Sequence, residues 1–341
     1  MPPVCYRRDM AKTRWAILGP GMISNNFADS LEHAQLGVLH AVGSSNVDRA
    51  AAFAAERGAS VSGTYQEILA RDDVDAVYIG TVHTTHAELA IAALEAGKAV
   101  LCEKPVTPTP EATAGVLAAV KASGRPFLEA YKFRFGPLAD ELRSVILRGD
   151  IGTPLRLDAS FGFAAAERTG RLFDPTLAGG AILDVGGYPA SLAVGIATWA
   201  GLTTDPATGT PVVSAIEGEL DEQGVDLWAD AQVTFGEFVA SIHTSIVTEL
   251  TQTSRLYGTD GWIDFPDVWG SRQQSGTTFT VHPEGDDPAR VITVDAVDPM
   301  AAEADAISLA LAEGRAEVSE MTWAETTTVA AVLADWRRGL S

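Results

Sequence analysis

The chain is short of cysteine and of positive charge. Its 341 residues include only Cys5 and Cys102. They stand far apart with no redox or metal-ligand spacing, so reduced thiols and a cytoplasmic location are the simple expectation. Lysine and arginine number 24 against 45 aspartates and glutamates, a formal charge of −21. That deficit argues against nucleic acid or an anionic membrane as a partner, since both need basic patches. No apolar run approaches a membrane-spanning length. Arg7 and Arg8 echo an export signal, but "GPG" breaks the apolar stretch behind them. Residues 1–13 are therefore expected to be a disordered leader. Hydrophobic residues still make up 46% of the chain, enough for a substantial core.

What is present changes character near Phe133. From Arg14 to Ala130, apolar runs (Trp15–Leu18, Val38–Gly43, Ala76–Gly80, Ala99–Cys102, Pro126–Ala130) alternate with helical stretches. Fully apolar strands between helices predict a doubly wound parallel sheet covered on both faces, an α/β Rossmann domain over residues 14–132. Beyond it, "PLRLDASFGFA" places Leu155, Leu157, Ala159, Phe161 and Phe163 on one face. Turns at Gly236-Glu237 and Asp260-Gly261 predict hairpins. Residues 133–341 thus read as an α+β domain with a large, mostly antiparallel open sheet. Its last helices are expected to pack back on the first domain. The exposed sheet face suggests a homodimer or homotetramer.

The first strand–helix junction, "WAILGPGMISNNFADSL", carries Gly19 and Gly21, the first two positions of a dinucleotide fingerprint. Gly19 permits a tight turn, Gly21 lets the backbone approach a pyrophosphate, and the helix opening at Met22 and Ile23 offers free N–H groups. After the second strand the acidic residue typical of NAD sites is absent. Ser44, Ser45 and Asn46 stand there, with Arg49 close behind. Hydroxyls with a guanidinium suit a 2′-phosphate, favouring NADP over NAD. The fifth strand ends in Glu103, Lys104 and Pro105, at the edge where doubly wound sheets bind ligands. Glu103 is expected to orient the Lys104 ammonium, and the Lys104–Pro105 bond is left open between cis and trans.

"GPGMIS", "GTVHTTHAELAIAALEAGKAVLCEKP", "EAYKFRFGP" and "AGGAILDVGGY" resemble the successive signatures of the glucose–fructose oxidoreductase / inositol dehydrogenase (Gfo/Idh/MocA) family. The likeness covers nearly the whole chain and is greatest to the dihydrodiol dehydrogenase branch, where a tyrosine, here Tyr188, replaces a histidine. It implies that Lys104, Asp184 and Tyr188 are catalytic. It also implies that Ser44 and Arg49 meet the adenosine phosphate, that Tyr65 lies beside the adenine, and that His86 starts a helix near the cofactor. Thr81, His83, Glu103 and Lys104 complete the expected cofactor set. Ser24 and Gly187 depart from the family's usual residues.

Tyrosine titrates near pH 10. An ammonium about 4 Å away contributes roughly 4 kcal/mol at an effective dielectric of about 20, so Lys104 is expected to bring Tyr188 close to working pH against the opposing effect of burial. Asp184 and Tyr188 share a face if the stretch is helical, and Pro189 is tolerated only in a first turn. His83 and His86 have metal-compatible spacing but no evident third ligand, so no metal is expected. Arg134 reads either as a structural ion-pair former or as a substrate-side residue. Arg168 or Arg171 is placed to meet a polar substrate. The expected function is hydride transfer between NADP(H) and a sugar, polyol or cyclic diol. The alternative, a non-catalytic dinucleotide redox sensor, would have no need of Lys104, Asp184 and Tyr188 together.

Overall fold

A computed structural model describes residues 11–202, 211–269 and 277–340, and the statements below concern these residues. Most of the expected leader, with Cys5, lies outside them; Thr13 already belongs to a strand. The parallel sheet comprises β1 (Thr13–Leu18), β2 (Gly37–Gly43), β3 (Val61–Gly63), β4 (Ala76–Ile79), β5 (Ala99–Glu103) and β6 (Phe127–Ala130). Their order is β3-β2-β1-β4-β5-β6, all parallel. Every residue of β4, β5 and β6 is buried, as strands covered on both faces must be. Connecting helices are α1 (Met22–Leu31), α2 (Val47–Arg57), α3 (Tyr65–Leu69), α4 (His86–Glu95) and α5 (Pro110–Ser123). The strand order reverses between β1 and β4, and the crevice beyond their carboxyl ends is where such sheets take ligands.

After α6 (Pro137–Arg148) comes β7 (Pro154–Gly162), then α7 (Gly187–Trp199), then β8 (Val212–Leu220), β9 (Asp226–Phe235) and β10 (Phe238–Ser245). Two more hairpins follow, β11 (Ser254–Gly258) with β12 (Gly261–Phe265), and β13 (Thr277–Pro283) with β14 (Arg290–Val294). The order is β14-β13-β12-β11-β7-β10-β9-β8. All neighbours are antiparallel except β7 and β10, a pairing no local hairpin signal announces. Gly236 takes a φ of 61° in the two-residue turn between β9 and β10, which its missing Cβ permits. Leu155 does not join the buried face. The register slips between Tyr257 and Gly258 opposite it, and this bulge leaves Leu155 exposed.

Contrary to the expectation that no apolar run approaches membrane-spanning length, the stretch Pro175–Trp199 is long and apolar enough to cross a membrane, yet its most apolar part is buried within the protein. It includes a π-turn, Ile182–Gly186, leading into α7. Pro189, third in α7, has no N–H to give the carbonyl four residues back, and the π-turn absorbs that mismatch. α8 (Pro299–Ala312) and α9 (Trp323–Arg338) finish the chain. α8 returns to the parallel sheet, packing on α1 and β5. The Asp305 carboxylate anchors it, accepting the backbone N–H groups of Gln35 (2.9 Å) and Leu36 (2.7 Å).

Candidate active site

A cavity of about 650 Å³ opens at the reversal point of the parallel sheet. One end is built on the glycine turn. Gly19 has a φ of 90°, and a Cβ there would stand 2.4 Å from Thr81 Cγ2, so the turn admits no side chain. A Cβ at Gly21 would meet nothing within 4 Å. Gly21 is also the N-cap of α1 and supplies no side-chain cap, leaving helix-end N–H groups available for an anion. Ser24 fits where a smaller residue is usual because its hydroxyl donates to the Gly19 carbonyl (2.7 Å) and Gly80 leaves it room. Ser44, Arg49 and Tyr65 line the same end. Asn46 N–H donates to Ser44 Oγ (3.1 Å), and Arg49 reaches the Pro20 carbonyl of the glycine turn (2.6 Å). Open backbone, a hydroxyl and a guanidinium fit a dinucleotide bearing an extra phosphate.

The other end holds Lys104, Tyr188, Glu103 and Arg171. Lys104 Nζ donates to the Asp184 backbone carbonyl (2.5 Å) and lies 5.1 Å from the Tyr188 ring centroid. The two groups, far apart in the chain, therefore face one cavity. The Asp184 carboxylate accepts from Arg171 (2.9 Å). Burial alone would push this carboxyl up, but the charges of Lys104 and Arg171 hold it below the ordinary range. Phe161, Trp269 and Tyr131 pack edge-on around the Tyr188 ring at 4.9, 5.8 and 5.9 Å. A Cβ at Gly187 would sit 2.3 Å from the Tyr131 hydroxyl, which explains the glycine before Tyr188.

Several expectations need correction. Tyr188 is not brought toward neutrality. Burial, then the acidic side chains of Glu103, Glu303 and Asp184, push its phenol well above the usual value. Glu103 does not steer the ammonium; its carboxylate accepts from the Tyr78 hydroxyl (2.8 Å) and from the backbone N–H of Lys104 (3.3 Å). The Lys104–Pro105 bond, whose isomer the sequence left open, is cis. Arg134 is no substrate residue. It is 2% exposed, ion-paired with Glu325 and donates to the carbonyls of Ser191 (3.0 Å) and Glu320 (3.1 Å). His86 sits behind the cavity wall, fully buried, with its ring nitrogens 3.0 and 3.2 Å from the carbonyls of Pro105 and Thr81. It ties the ends of β4 and β5 together. Asp184 likewise stands behind Lys104 and Arg171. Met22, Ile23, Thr81 and His83 do line the cavity. Burial pushes the His83 imidazole down to about 3. No metal-holding cluster of acidic, histidine or cysteine side chains occurs among the described residues.

Glu303 on α8 also lines the cavity, a residue that belongs to none of the sequence motifs above. A signal was present: "PMAAEADAISLALA" is apolar on nearly every face, so an acid within it is out of place.

Comparison with known proteins agrees with this geometry. Residues 13–131 match the model of an oxidoreductase family with an NAD-binding Rossmann fold, and residues 139–264 match the GFO/IDH/MocA C-terminal domain. Trans-1,2-dihydrobenzene-1,2-diol dehydrogenase of Homo sapiens is 31% identical over 257 residues, 73% of each chain. D-xylose 1-dehydrogenase (NADP(+)) 2 of Haloferax volcanii is 30% identical over 280 residues, 80% of this chain and 81% of that one. KijD10, a 3-ketoreductase from Actinomadura kijaniata solved with NADP, superposes with a TM-score of 0.78 at 25% identity, covering 95% of this chain and 96% of that one. The glycine turn at a sheet reversal, facing a lysine and a tyrosine across one cavity, is thus joined by matches over most of the chain: it belongs to the GFO/IDH/MocA family of NAD-binding Rossmann oxidoreductases.

Proposed function

We propose that this cavity carries reversible hydride transfer between NADP(H) and a sugar, polyol or cyclic diol, with Lys104, Tyr188 and Asp184 as its working residues. The chain is a hydride-transferring oxidoreductase acting on CH–OH groups, and NADP is its cofactor. The observation that carries the assignment of residues is the convergence of Lys104 and Tyr188 on the cavity that the glycine turn opens. When bound, the nicotinamide accepts or supplies the hydride. Tyr188, a phenol at neutral pH, gives its proton to the carbonyl oxygen during reduction; in oxidation the phenol first releases its proton to solvent, and the phenolate then takes the proton of the substrate hydroxyl. Lys104 stabilises the negative charge that passes between substrate oxygen and phenol. Asp184 positions Lys104 through its backbone carbonyl and Arg171 through its carboxylate. Arg171, half exposed at the rim, is placed to meet substrate hydroxyls. Ser44 and Arg49 take the adenosine phosphate.

We assign residues 14–132 to cofactor binding and 133–341 to the substrate side and to assembly. On the outer face of the second sheet Trp262 stacks on His282 at 3.6 Å and Tyr257 is exposed. This face supports pairing as a homodimer or homotetramer, which light scattering after gel filtration tests. A cytoplasmic enzyme accords with Cys102 as a buried thiol. The decisive assay follows NADPH absorbance against a panel of sugars, diols and ketones. Turnover of at least one compound is expected; silence across the panel alongside tight NADPH binding would favour the sensor instead.

A further inference from the structure

Glu303 is fully buried, and neither of its carboxyl oxygens has a hydrogen-bond partner. It nevertheless forms part of the cavity wall, at the end shared by Lys104 and Tyr188. Leaving a buried polar group unsatisfied is costly, so these oxygens are arranged for something that enters. Burial first, and then the negative charge of Glu103, push this carboxyl well above its ordinary range against the opposing charge of Lys132, and so favour the neutral acid. A neutral carboxylic acid presents an O–H donor beside a carbonyl acceptor. Its complement is a group with an N–H beside a C=O, which is a primary carboxamide.

The phosphates belong at Gly19 and Gly21 and the adenosine beside Ser44 and Arg49, so the end holding Glu303 receives the nicotinamide ring. That ring carries a primary carboxamide. We propose that Glu303 reads this group, pairing with it through two hydrogen bonds and so holding the ring in one orientation before Lys104 and Tyr188. The inference rests on the reading of the cavity as the NADP site. It adds a recognition residue supplied by α8, which reaches the cavity from beyond the second sheet in sequence.

The test is calorimetric titration of the substrate-free protein with NADPH and with its reduced 3-acetylpyridine analogue, which keeps the carbonyl but lacks the N–H. The wild type is expected to bind NADPH about tenfold more tightly than the analogue, the worth of one hydrogen bond whose loss strands a buried acceptor. Glu303→Leu should bind the two equally, and Glu303→Gln, whose amide can pair with the carboxamide, should retain the preference. Equal binding by the wild type, or an undiminished preference in folded Glu303→Leu, overturns the inference while leaving the NADP site intact. The wild-type comparison stands even if the leucine variant does not fold. No binding of NADPH by the wild type would instead overturn the reading of the cavity itself.

Discussion

Replacing Lys104 with methionine keeps the length of the side chain and removes its charge. The ammonium lies 5.1 Å from the centre of the Tyr188 ring. At that range two unit charges in an effective dielectric of about 20 interact by about 3 kcal/mol. If Lys104 stabilises the charge that Tyr188 bears as its proton leaves, the variant loses about that much from the transition state. The rate of the chemical step should fall by roughly two orders of magnitude. The assay is single-turnover oxidation of NADPH with a reactive ketone at neutral pH, paired with an NADPH titration. Affinity for NADPH should change by less than about threefold, because the phosphates are held at the opposite end of the cavity. A rate within about fivefold of wild type would refute the electrostatic role. A large loss of NADPH affinity would instead make Lys104 chiefly a binding residue.

Burial and three neighbouring acidic side chains raise the Tyr188 phenol, so its charged form is scarce at neutral pH. Ultraviolet titration of the cofactor-free protein, wild type minus Tyr188→Phe, should show no phenolate from this residue below about pH 10. Arg49→Ala should weaken NADPH binding by tenfold to about a hundredfold, the range of hydrogen bonds to a charged phosphate, while NADH binding barely moves. Fluorescence titration with the two cofactors checks this, and equal losses would place Arg49 elsewhere. Arg134→Ala strands the buried Glu325 carboxylate and should cost about 3–5 kcal/mol in urea unfolding. Removing both charges with Arg134→Met and Glu325→Leu should return most of that loss.

The parallel sheet was legible because β1, β4 and β5 rest on unbroken apolar runs and several helix starts bear a signal, such as the Thr109-Pro110 cap and first turn of α5. The pairing of Lys104 with Tyr188 was legible through motifs, since nothing local links two residues so far apart. Arg134 shows where reading a sequence stops. An arginine in "FRFGP" gives no sign that α9 will deliver Glu325 to it, and only that meeting separates an ion-paired core residue from a substrate ligand. Glu103 fails for a similar reason: its partner, Tyr78, comes from the adjacent strand and reads as ordinary core. The direction of the Tyr188 shift depended on its burial and then on the acidic side chains around the ring, one of which arrives on α8.

That arrival has a consequence for how the protein is made. A nascent chain that has emerged through β6 has its glycine turn and Lys104 but lacks Tyr188, Glu303 and the Asp305 clasp on Gln35 and Leu36. Synthesis must run on to α8 before the pocket has all its walls, so NADP can stabilise only chains that are nearly finished. A ribosome stalled earlier would hold a nucleotide fold without the enclosure that its nucleotide requires.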